Sequence, residues 1–478
     1  MAVLRLDRLS PAGLVLVRAV AAAAAGHEAW LVGGAVRDAF LRRAPGADVD
    51  VVLPSGALEV GRRVAERTGG AFVLLDAERG AARVVAGDAR LDLADFHAPT
   101  LAGDLAARDF TVNALAVPIR DLLERGSATV IDPTGGLADL RARRLRVSGP
   151  RVLGEDPLRA LRGVRLEAAL GLRLTPGTAR AIRAAAPGLA AVAAERVRDE
   201  VLAVLALPRT ARALRRMDAL GLLAVILPEA DAMRGCAQPA PHRFDVLEHS
   251  LRAVEAADQL LPRLPALVPL GEELAAHMAG ELGGGVARSV VLKLGALLHD
   301  VSKPETRRLI GGRIRFFEHD LVGARRVRQI AARLRLPVRA AATLERLVRH
   351  HLRPMHLEAA GEVTRRARYR FYRDLAEDAR DLLLLALVDA AALTGASPLA
   401  VWRRARLIRD LLSGWQEQHA AAAAPPLVRG EDVMRRLNLP PGPSIGRLLA
   451  QVREAQDLGR VATREEALAY LDSLAREP

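Results

Sequence analysis

The sequence is poor in cysteine and aromatic residues. Its 478 residues include a single cysteine, Cys236, and aromatic side chains make up 3% of the chain. One cysteine excludes an internal disulfide and a cysteine-based zinc site, and it is typical of proteins of the reducing cytoplasm. Few aromatic residues, with many Ala and Leu, favour helices over sheets. No apolar run reaches the ~18 residues that a membrane-spanning helix needs, so we expect no membrane partner and a cytoplasmic location.

Acidic residues are also in deficit. Lys and Arg together number 70 against 56 Asp and Glu, which gives a net charge of +14. Nearly all of the positive charge is arginine, because Lys293 and Lys303 are the two lysines. Such an excess fits a polyanionic partner such as nucleic acid, and a solvated basic surface is the alternative.

The order of the patterns predicts an α+β protein with a mixed N-terminal region and a helical remainder. Ser10-Pro11 is a good helix start, and this helix is predicted to run to about Gly26. Strand patterns follow at Ala29–Val32, Ala47–Leu53, 71–75 and 90–96. Beyond about residue 150 strand patterns almost vanish, and helical periodicity dominates.

The chain is too long for one compact core, and its length predicts about three domains. Breaks in the pattern divide it into four segments. They are an α/β head (1–145), a helical neck (146–235), a second helical body (236–420) and a helical tail (421–478). The Ala- and Pro-rich stretch at 421–426 is typical of a linker, and no pattern specifies an oligomeric state.

The densest pattern of chemistry-bearing residues lies in the first fifty positions. Gly33 and Gly34 stand between a predicted strand and a helix, where glycine lets backbone N–H groups approach phosphate oxygens. Arg37 lies one turn into that helix and can clamp a triphosphate as a planar fork. Asp48 and Asp50 are two apart on a predicted strand, so both carboxylates share a face and can hold one or two Mg²⁺ ions. A lone Gly-Gly or Asp-x-Asp is usually structural, but the combination is far more specific.

In this order and spacing, Leu31–Asp38 and Asp48–Asp50 resemble the signature of the class II CCA-adding enzyme and bacterial poly(A) polymerase family, part of the polymerase-β-like nucleotidyltransferase superfamily. The resemblance implies a head that uses Mg²⁺ to transfer nucleotides from CTP and ATP to the 3′ end of tRNA. Asp92 lies where the family has a third acidic residue. Asp95 is the competing choice, on the opposite face if the strand is regular.

Further stretches match the family's motifs in sequence order. The first is Arg108–Asn113, and the resemblance implies that Arg108, Asp109 and Asn113 belong to the nucleotide-binding motif. The others match the hinge between head and neck, the nucleotide-selecting helix and the end of the neck; they are Asp132–Leu140, Glu155–Arg165 and Glu195–Glu200.

Within the selecting helix, acidic and basic residues recur every three positions, so that neighbours share a face. They are Asp156, Arg159, Arg162 and Arg165. A carboxylate and a guanidinium together can read the hydrogen-bonding edge of a base without a template. The resemblance implies that Asp156 and Arg159 select C and A, and that Arg162 and Arg165 face the triphosphate. A solvated basic helix face is the alternative.

One departure concerns the segment between Phe96 and Arg108. CCA-adding relatives carry a longer flexible segment here, which is linked to the switch from adding C to adding A. The short version resembles enzymes that add only part of the CCA end, so partial addition is the expectation that this segment supports.

The second helical region carries histidine and aspartate at positions that can converge on a metal in a bundle core. The ordered set resembles the His, His-Asp, Asp pattern of the HD phosphohydrolase superfamily. By that resemblance the ligands are His249, His299, Asp300 and Asp389, with His319 and His350 as candidates for a second metal. The resemblance implies a divalent transition metal or Mg²⁺, and Lys303 as a contact for a substrate phosphate. A scaffold with an idle site is the alternative.

Three functions remain open at this stage. The first is a tRNA nucleotidyltransferase that adds all of CCA, only CC or only A, with an HD-type hydrolase behind it. The second is a poly(A) polymerase, which shares every head motif. The third is an RNA-binding protein or phosphohydrolase with a relic head, against which the intact Asp48, Asp50 and Arg37 argue.

Overall fold

The computed structural model describes residues 2–24, 26–415 and 425–476. They form two compact units, one extending to Leu207 and including Ala213–Ile226, the other comprising Pro208–Arg212 and the chain from Leu227 onward. The predicted linker at 421–426 falls mostly outside the described residues, and the four-segment division stays a prediction.

The first unit begins with a six-stranded sheet in the order β4-β5-β6-β3-β2-β7, in which β3 and β6 are the parallel neighbours. Its strands are β2 (Trp30–Val32), β3 (Asp48–Leu53), β4 (Ala71–Asp76), β5 (Ala81–Ala86), β6 (Ala89–Asp95) and β7 (Ala116–Pro118). A separate two-stranded sheet pairs β1 (Val3–Arg5) with β8 (Ser127–Thr129). The four strands predicted from the sequence are present, and β5 and β7 complete the six-stranded sheet as strands that were not predicted.

Helices cover both faces of this sheet. They are α1 (Pro11–Ala23), α2 (Gly33–Phe40), α3 (Ala57–Thr68), α4 (Leu101–Ala106), α5 (Ile119–Arg125) and α6 (Gly136–Arg141). Ser10 caps α1 as predicted, because its Oγ accepts a hydrogen bond of 3.0 Å from the Gly13 N–H. Alternation along β3 buries Val49 and Val51, with α1 and α3 packed on the sheet, and leaves the other face to the aspartates of the same strand.

The rest of the first unit is helical. Its helices are α7 (Val152–Glu155), α8 (Leu158–Leu170), α9 (Pro176–Ala185), α10 (Ala194–Leu205), most of α11 (Thr210–Ala219) and α12 (Leu222–Ile226), with a short parallel pair β9 (Arg144–Leu145) and β10 (Arg173–Leu174). The predicted selecting helix begins later than expected. Asp156 has extended backbone angles between α7 and α8, because the residue before a proline is disfavoured in helical conformation. Asp156 therefore precedes the helix that carries the three arginines, so the helical face predicted to be shared by neighbouring residues does not include Asp156.

The second unit is built on a helical bundle in which α14, α16, α19 and α22 pack together. Its helices are α13 (Glu229–Met233), α14 (Val246–Leu260), α15 (Gly271–Ala279), α16 (Arg288–Leu298), α17 (Lys303–Thr306), α18 (His319–Arg333), α19 (Val338–His350), α20 (Arg353–Ala359), α21 (Arg365–Leu375), α22 (Asp378–Thr394), α23 (Pro398–Arg404) and α24 (Arg406–Ser413). A hairpin of β11 (Arg307–Ile310) and β12 (Arg313–Phe316) interrupts the helices. The prediction of a nearly strand-free remainder missed it, although Gly311-Gly312, both with positive φ, is a turn typical of hairpins.

The chain ends in three helices with a small core of their own. They are α25 (Gly430–Leu437), α26 (Pro443–Asp457) and α27 (Arg464–Arg476), and Val433, Val452 and Leu471 are buried between them. The predicted α+β class, with a sheet in the head and helices behind it, is confirmed. Among the described residues no single helix is long and apolar enough to cross a membrane, and one sharply bent pair, α22 with α23, passes by length and composition only.

Candidate active sites

Three aspartates predicted to act together lie on two adjacent strands of the head. Asp48 and Asp50 alternate with buried valines on β3, and Asp92 on β6 stands opposite Asp50 in the parallel register. Asp95 lies elsewhere, because its Oδ1 accepts a hydrogen bond of 2.8 Å from the Ala57 N–H at the start of α3. The sheet thus brings Asp48, Asp50 and Asp92, but not Asp95, to one place. Carboxylate oxygens are the ligands that Mg²⁺ prefers, so this donor set fits the ion.

The Gly33-Gly34 turn fits closely against Asp50. Gly33 has a φ of +69°, and a Cβ there would lie 2.6 Å from Asp50 Oδ2. The Gly34 N–H donates to the same oxygen at 3.3 Å. Burial raises the pKa of Asp50, and the charge of Asp92 adds to this effect, whereas Arg108, Arg37 and the Gly34 N–H oppose it. Asp50 and Asp92 lie on neighbouring strands in register, and the repulsion between their charges favours a bound cation.

A chain of hydrogen bonds orients Arg37. Its Nε donates to Asp38 Oδ1 at 2.8 Å, and its Nη1 donates to Asn113 Oδ1 at 2.7 Å. Asn113 Nδ2 in turn donates to Asp109 Oδ1 at 3.0 Å. Because two side chains bind it, and one of them is bonded in turn to Asp109, the guanidinium of Arg37 is oriented before any ligand arrives. A preorganised cation costs little reorganisation when it meets a phosphate.

Two arginines of α8 share one buried carboxylate. Arg162 Nε lies 3.1 Å from Glu200 Oε1, and Arg165 Nε lies 2.6 Å from Glu200 Oε2. Arg162 also reaches Asp109 Oδ2 at 3.4 Å, which joins this cluster to the one around Arg37. Glu200, on α10, is 8% exposed, so it holds both arginines from the core side.

The two residues predicted to read the base have different hydrogen-bond partners. Arg159 faces the cavity, with its Nη1 donating at 3.2 Å to the backbone oxygens of Ala107 and Val152. Asp156 instead accepts a 2.7 Å hydrogen bond from Arg196 Nη2. Partial burial alone would raise the pKa of Asp156, but the hydrogen bond and charge of Arg196 outweigh it and lower the pKa.

These groups surround one cavity of about 680 Å³ in the head and neck. From the sequence-predicted set it is lined by Gly33, Gly34, Arg37, Asp48, Asp50, Asp92, Arg108, Asp109, Asn113, Arg159, Arg162 and Arg165. Its size is in the range of small-molecule sites, and its wall contains both carboxylates and arginines. Such a wall suits a metal-bound triphosphate.

The second unit brings its predicted ligands together in the bundle core. His249 Nε2 lies 2.9 Å and His299 Nε2 3.6 Å from Asp389 Oδ1. On the other side, Asp300 Oδ1 lies 3.4 Å from His319 Nε2 and 3.6 Å from His351 Nε2. These are two groups of three, each with its ligand atoms within 4.8 Å of one another. Asp300 Oδ2 lies 3.1 Å from His299 Nε2, so Asp300 stands between the groups.

The histidine tautomers fit metal binding. The Nδ1 atoms of His299, His319 and His351 each donate to a backbone carbonyl of their own turn, at 3.0, 3.1 and 2.7 Å, which leaves Nε2 facing the centre. His319 Nε2 and His351 Nε2 lie 3.2 Å apart, and two lone pairs at that distance repel without a proton or cation between them. Within the described residues, His299 Nε2 and Asp300 Oδ1 have no hydrogen-bond partner despite full burial.

The charges of this centre also favour a cation. Burial by itself would lower the pKa of His299, but the negative charges of Asp300 and Asp389 outweigh it and raise the pKa to about 9. Burial lowers the pKa of His351 to about 4, so that ring is neutral at pH 7. Lys303, predicted to meet a substrate phosphate, places its Nζ 2.6 Å from Asp300 Oδ2 and 2.7 Å from the side-chain oxygen of Gln238.

Comparison with known proteins decides the family. The family model "Poly A polymerase head domain" matches residues 29–100 and 96–146, "Probable RNA and SrmB- binding site of polymerase A" matches 171–234, and "HD domain" matches 246–392. The A-adding tRNA nucleotidyltransferase of Deinococcus radiodurans is 39% identical over 94% of this chain and 96% of that protein. The chain belongs to the tRNA nucleotidyltransferase family.

Further relatives agree. The CC-adding tRNA nucleotidyltransferase of Thermus thermophilus is 36% identical, with 93% of each chain covered. The Bacillus stearothermophilus CCA-adding enzyme in complex with CTP has a similar fold, with a TM-score of 0.62, 23% identity and 98% of both chains covered. The resemblance inferred from the head and HD motifs is therefore confirmed, including its assignment to an enzyme family.

One of the residues predicted to bind a metal in this tRNA nucleotidyltransferase is wrong. His350 was a candidate for the second metal, but the structure brings His351 to Asp300 instead. Successive helical residues point about 100° apart, so adjacent histidines cannot both face the centre. His350 is half-buried beside Arg353 and Arg349, and burial with these charges lowers its pKa.

Sequence reasoning also missed residues that hold the head site. Arg83 makes a two-point ion pair with Asp92, with contacts of 2.7 and 2.8 Å, and it lies on β5, which was not predicted. In the sequence, this strand is indicated by the position of Arg83 between the apolar residues Ala82 and Val84. Glu200 lay in a matched motif, but no pattern along the chain tied it to the arginines of α8. Asp104 is 3% exposed; its Oδ1 accepts a hydrogen bond of 3.0 Å from the His97 N–H, and its Oδ2 lies 3.6 Å from Arg108 Nη2.

Proposed function

We propose that this chain is a template-independent tRNA nucleotidyltransferase that adds only part of the CCA end. The observation that carries the transferase activity is the cavity that joins Asp48, Asp50 and Asp92 to the glycine turn and to the arginines of α2 and α8. We take tRNA as the acceptor because the relatives are tRNA nucleotidyltransferases. We take CTP or ATP as the nucleotide donor because those relatives add C or A, and the similar solved structure contains CTP. A cytoplasmic location is part of this proposal, because tRNA is the acceptor.

The head residues divide the work of nucleotidyl transfer. Asp48 and Asp50 would hold Mg²⁺, and Asp92 is the third carboxylate within reach by register. Mg²⁺ bound there would acidify the tRNA 3′-hydroxyl and offset the charge of the departing pyrophosphate. Arg37 and the amides of the glycine turn bind the triphosphate and orient its α-phosphorus toward the hydroxyl.

Base selection falls to Arg159 in this proposal. Its side chain lines the cavity, where guanidinium N–H groups that are not bonded to Ala107 or Val152 can donate to the ring acceptors of a base. A reading role for Asp156 would require its ion pair with Arg196 to open, because that hydrogen bond occupies one carboxylate oxygen. Arg162 and Arg165, held by Glu200, would bind the triphosphate.

Partial addition rests on the segment between Phe96 and Arg108. This segment forms α4 and packs against the sheet: Leu105 is fully buried with Trp30, Val32 and Val52. The buried Asp104 accepts a 3.0 Å hydrogen bond from the His97 N–H at the other end of the segment. The result is a fixed wall of the nucleotide cavity with little spare chain for rearrangement. The A-adding and CC-adding relatives also match over more than nine-tenths of the chain.

Substitutions on the two faces of the sheet test which carboxylates are needed for nucleotide addition. An Asp48→Asn/Asp50→Asn variant is expected to lose nucleotide addition by more than about 10³-fold in kcat, because it removes the oxygens that hold the ion. Asp95→Asn is the matched control, since it changes an aspartate of β6 outside the cavity, and it should keep addition. Equal loss in both variants, or retention in both, would contradict the assignment.

A second activity is favoured by the bundle core. We propose that the second unit is a metal-dependent phosphohydrolase, because six buried or half-buried ligands form two adjoining groups around Asp300. The metal, Mg²⁺ or a transition ion, would supply an activated water. His299→Ala and Asp300→Ala should abolish hydrolysis of a 2′,3′-cyclic nucleotide and leave nucleotide addition intact. Hydrolysis that survives both changes would contradict this second activity.

A further inference from the structure

The hairpin of β11 and β12 is a basic element of the second unit that has no role in the proposed hydrolase described so far. Residues 307–316 contain four arginines and no acidic residue, and all four arginines are exposed. The hairpin's apolar residues are also open to solvent at the turn, where Leu309 is 68% and Ile310 56% exposed. We call residues 307–316 the basic ribbon.

The pairing register gives the basic ribbon two different faces. Arg308 stands opposite Arg315, and Ile310 opposite Arg313, so that three arginines lie on one face. The other face carries the alternate residues, including Phe316. Like charges directly opposite each other destabilise a strand pair, and a two-stranded ribbon is only marginally stable to begin with. The arrangement is therefore poor for stability alone.

These three arginines have no internal counter-charge. Within the part of the chain that the structure describes, Arg308, Arg313 and Arg315 form no ion pair, and Arg308 donates only to the backbone oxygen of its neighbour at 3.1 Å. Several other exposed arginines of this unit are paired with a carboxylate, as Arg333 is with Glu229. Three uncompensated charges on one face of a narrow ribbon suit a polyanion with evenly spaced charges.

The base of the ribbon adjoins the metal-binding centre. The backbone oxygen of Phe316 accepts the 3.1 Å hydrogen bond from His319 Nδ1, so the last ribbon residue orients a candidate ligand. The ring of Phe316 also lies 5.5 Å from Lys303 Nζ, which contacts Asp300. Immediately after the ribbon, the Phe317 side chain is 56% exposed and offers an aromatic ring to solvent.

We propose that the basic ribbon binds the phosphate backbone of a single-stranded RNA end and guides its terminal phosphate to the metal centre. Arginines that follow a backbone, with an exposed aromatic ring on which a base can stack, are the usual elements of single-strand binding. The inference rests on the proposed hydrolase and deepens it, because it names an RNA 3′ end rather than a free nucleotide as the substrate.

A photocrosslinking experiment tests occupancy without relying on activity. A benzophenone amino acid replaces Ile310 in the full chain, and the probe is a short single-stranded RNA labelled near a 2′,3′-cyclic phosphate end. The control places the same group at Val268, which is 77% exposed in the same unit. We expect crosslinks at the terminal nucleotides from position 310 and few from position 268. Equal or absent crosslinking at position 310 would overturn the proposal.

A charge-matched pair of variants tests the arginines. The ribbon variant is Arg308→Ser/Arg313→Ser/Arg315→Ser, and its control removes three exposed arginines elsewhere in the unit. The control is Arg325→Ser/Arg339→Ser/Arg403→Ser. Only the ribbon variant should weaken binding of the short RNA by about ten-fold or more and flatten its dependence on the logarithm of salt concentration by about 2. Equal weakening in both variants would reduce the effect to net charge and overturn the proposal.

Two further measurements distinguish RNA binding by the ribbon from the hydrolase activity itself and from binding to a membrane surface. The ribbon variant should hydrolyse bis(4-nitrophenyl) phosphate, a small diester, like the unaltered protein, while its KM for the RNA rises. If the unaltered protein hydrolyses neither substrate, the hydrolase proposal fails and the crosslinks alone decide the ribbon. If the ribbon variant loses binding to vesicles of anionic phospholipid but not to RNA, the ribbon serves a membrane surface and the RNA proposal is overturned.

Discussion

Gly33→Ala is the sharpest single perturbation of the nucleotide site. The new Cβ would lie 2.6 Å from Asp50 Oδ2, whereas ordinary contact begins at 3.4 Å. Restoring that contact displaces the carboxylate by roughly 0.8 Å, and a misplacement of about 1 Å at a reacting centre costs about 10²-fold in rate. The positive φ adds about 1–2 kcal/mol of backbone strain. We therefore expect kcat for nucleotide addition to fall about 100-fold, measured as single-nucleotide extension of tRNA at saturating NTP.

Substitutions at two other glycines distinguish the effect of the steric contact from the effect of backbone strain. Gly126 has a φ of +67° and open space around its Cβ position, so Gly126→Ala should lower the melting temperature with little effect on kcat. Gly34 has no positive φ, and its Cβ would lie 3.6 Å from the Arg37 guanidinium, so Gly34→Ala should cost less than Gly33→Ala in both measurements. Normal kcat in Gly33→Ala, or an equal loss of kcat in Gly126→Ala, would refute the reasoning.

Three further predictions concern residues that hold the two sites. Glu200→Gln removes the negative charge that two arginines share. It should reduce kcat/KM for the nucleotide by about ten-fold and lower the melting temperature, because the charge of the arginines is then uncompensated. An unchanged kcat/KM would argue against a role of Glu200 in holding these arginines. His351→Ala should lower metal content measured by elemental analysis, whereas His350→Ala should not, and the reverse order would restore the original assignment. Asp156→Asn should destabilise the protein at pH 7. Because Arg196 depresses the pKa of Asp156, that stabilisation is present above the ordinary value of 3.8 and is lost as the pH falls through the lower folded pKa. The difference in unfolding free energy between Asp156→Asn and the unaltered protein should therefore shrink in acid, and a constant difference would contradict the ion pair.

Most of the head could be predicted from the sequence because its signals are local. The strand that carries Asp48 and Asp50 shows its alternation within six residues, and the Gly-Gly turn precedes a helix in the sequence as in the structure. The partners of these groups could not be predicted in the same way. Arg83 reaches Asp92 only because β5 and β6 pair, and Glu200 reaches α8 across 35 residues of chain. Such contacts depend on tertiary packing, which no local pattern records.

The second centre shows the same limit on a smaller scale. The ordered histidines and aspartates were enough to predict a metal site, because their types are rare and chemically specific. The choice between His350 and His351 was not, since both lie at the end of one helix and their rotation is set by the packing of α19 on α16 and α22. The ribbon was missed because each of its four-residue strands carries two arginines, a composition that resembles a solvated loop.

The most direct test of the central claim is end-extension of three tRNA transcripts, lacking CCA, lacking CA and lacking only A, with Mg²⁺ and each NTP supplied separately. Partial addition predicts that synthesis stops after two C residues, or that only the transcript lacking A is extended, and that the Asp48→Asn/Asp50→Asn variant extends none. Stepwise addition of C, C and A would contradict partial addition. A long A tail would indicate a poly(A) polymerase, and no incorporation by the unaltered protein would contradict the transferase itself.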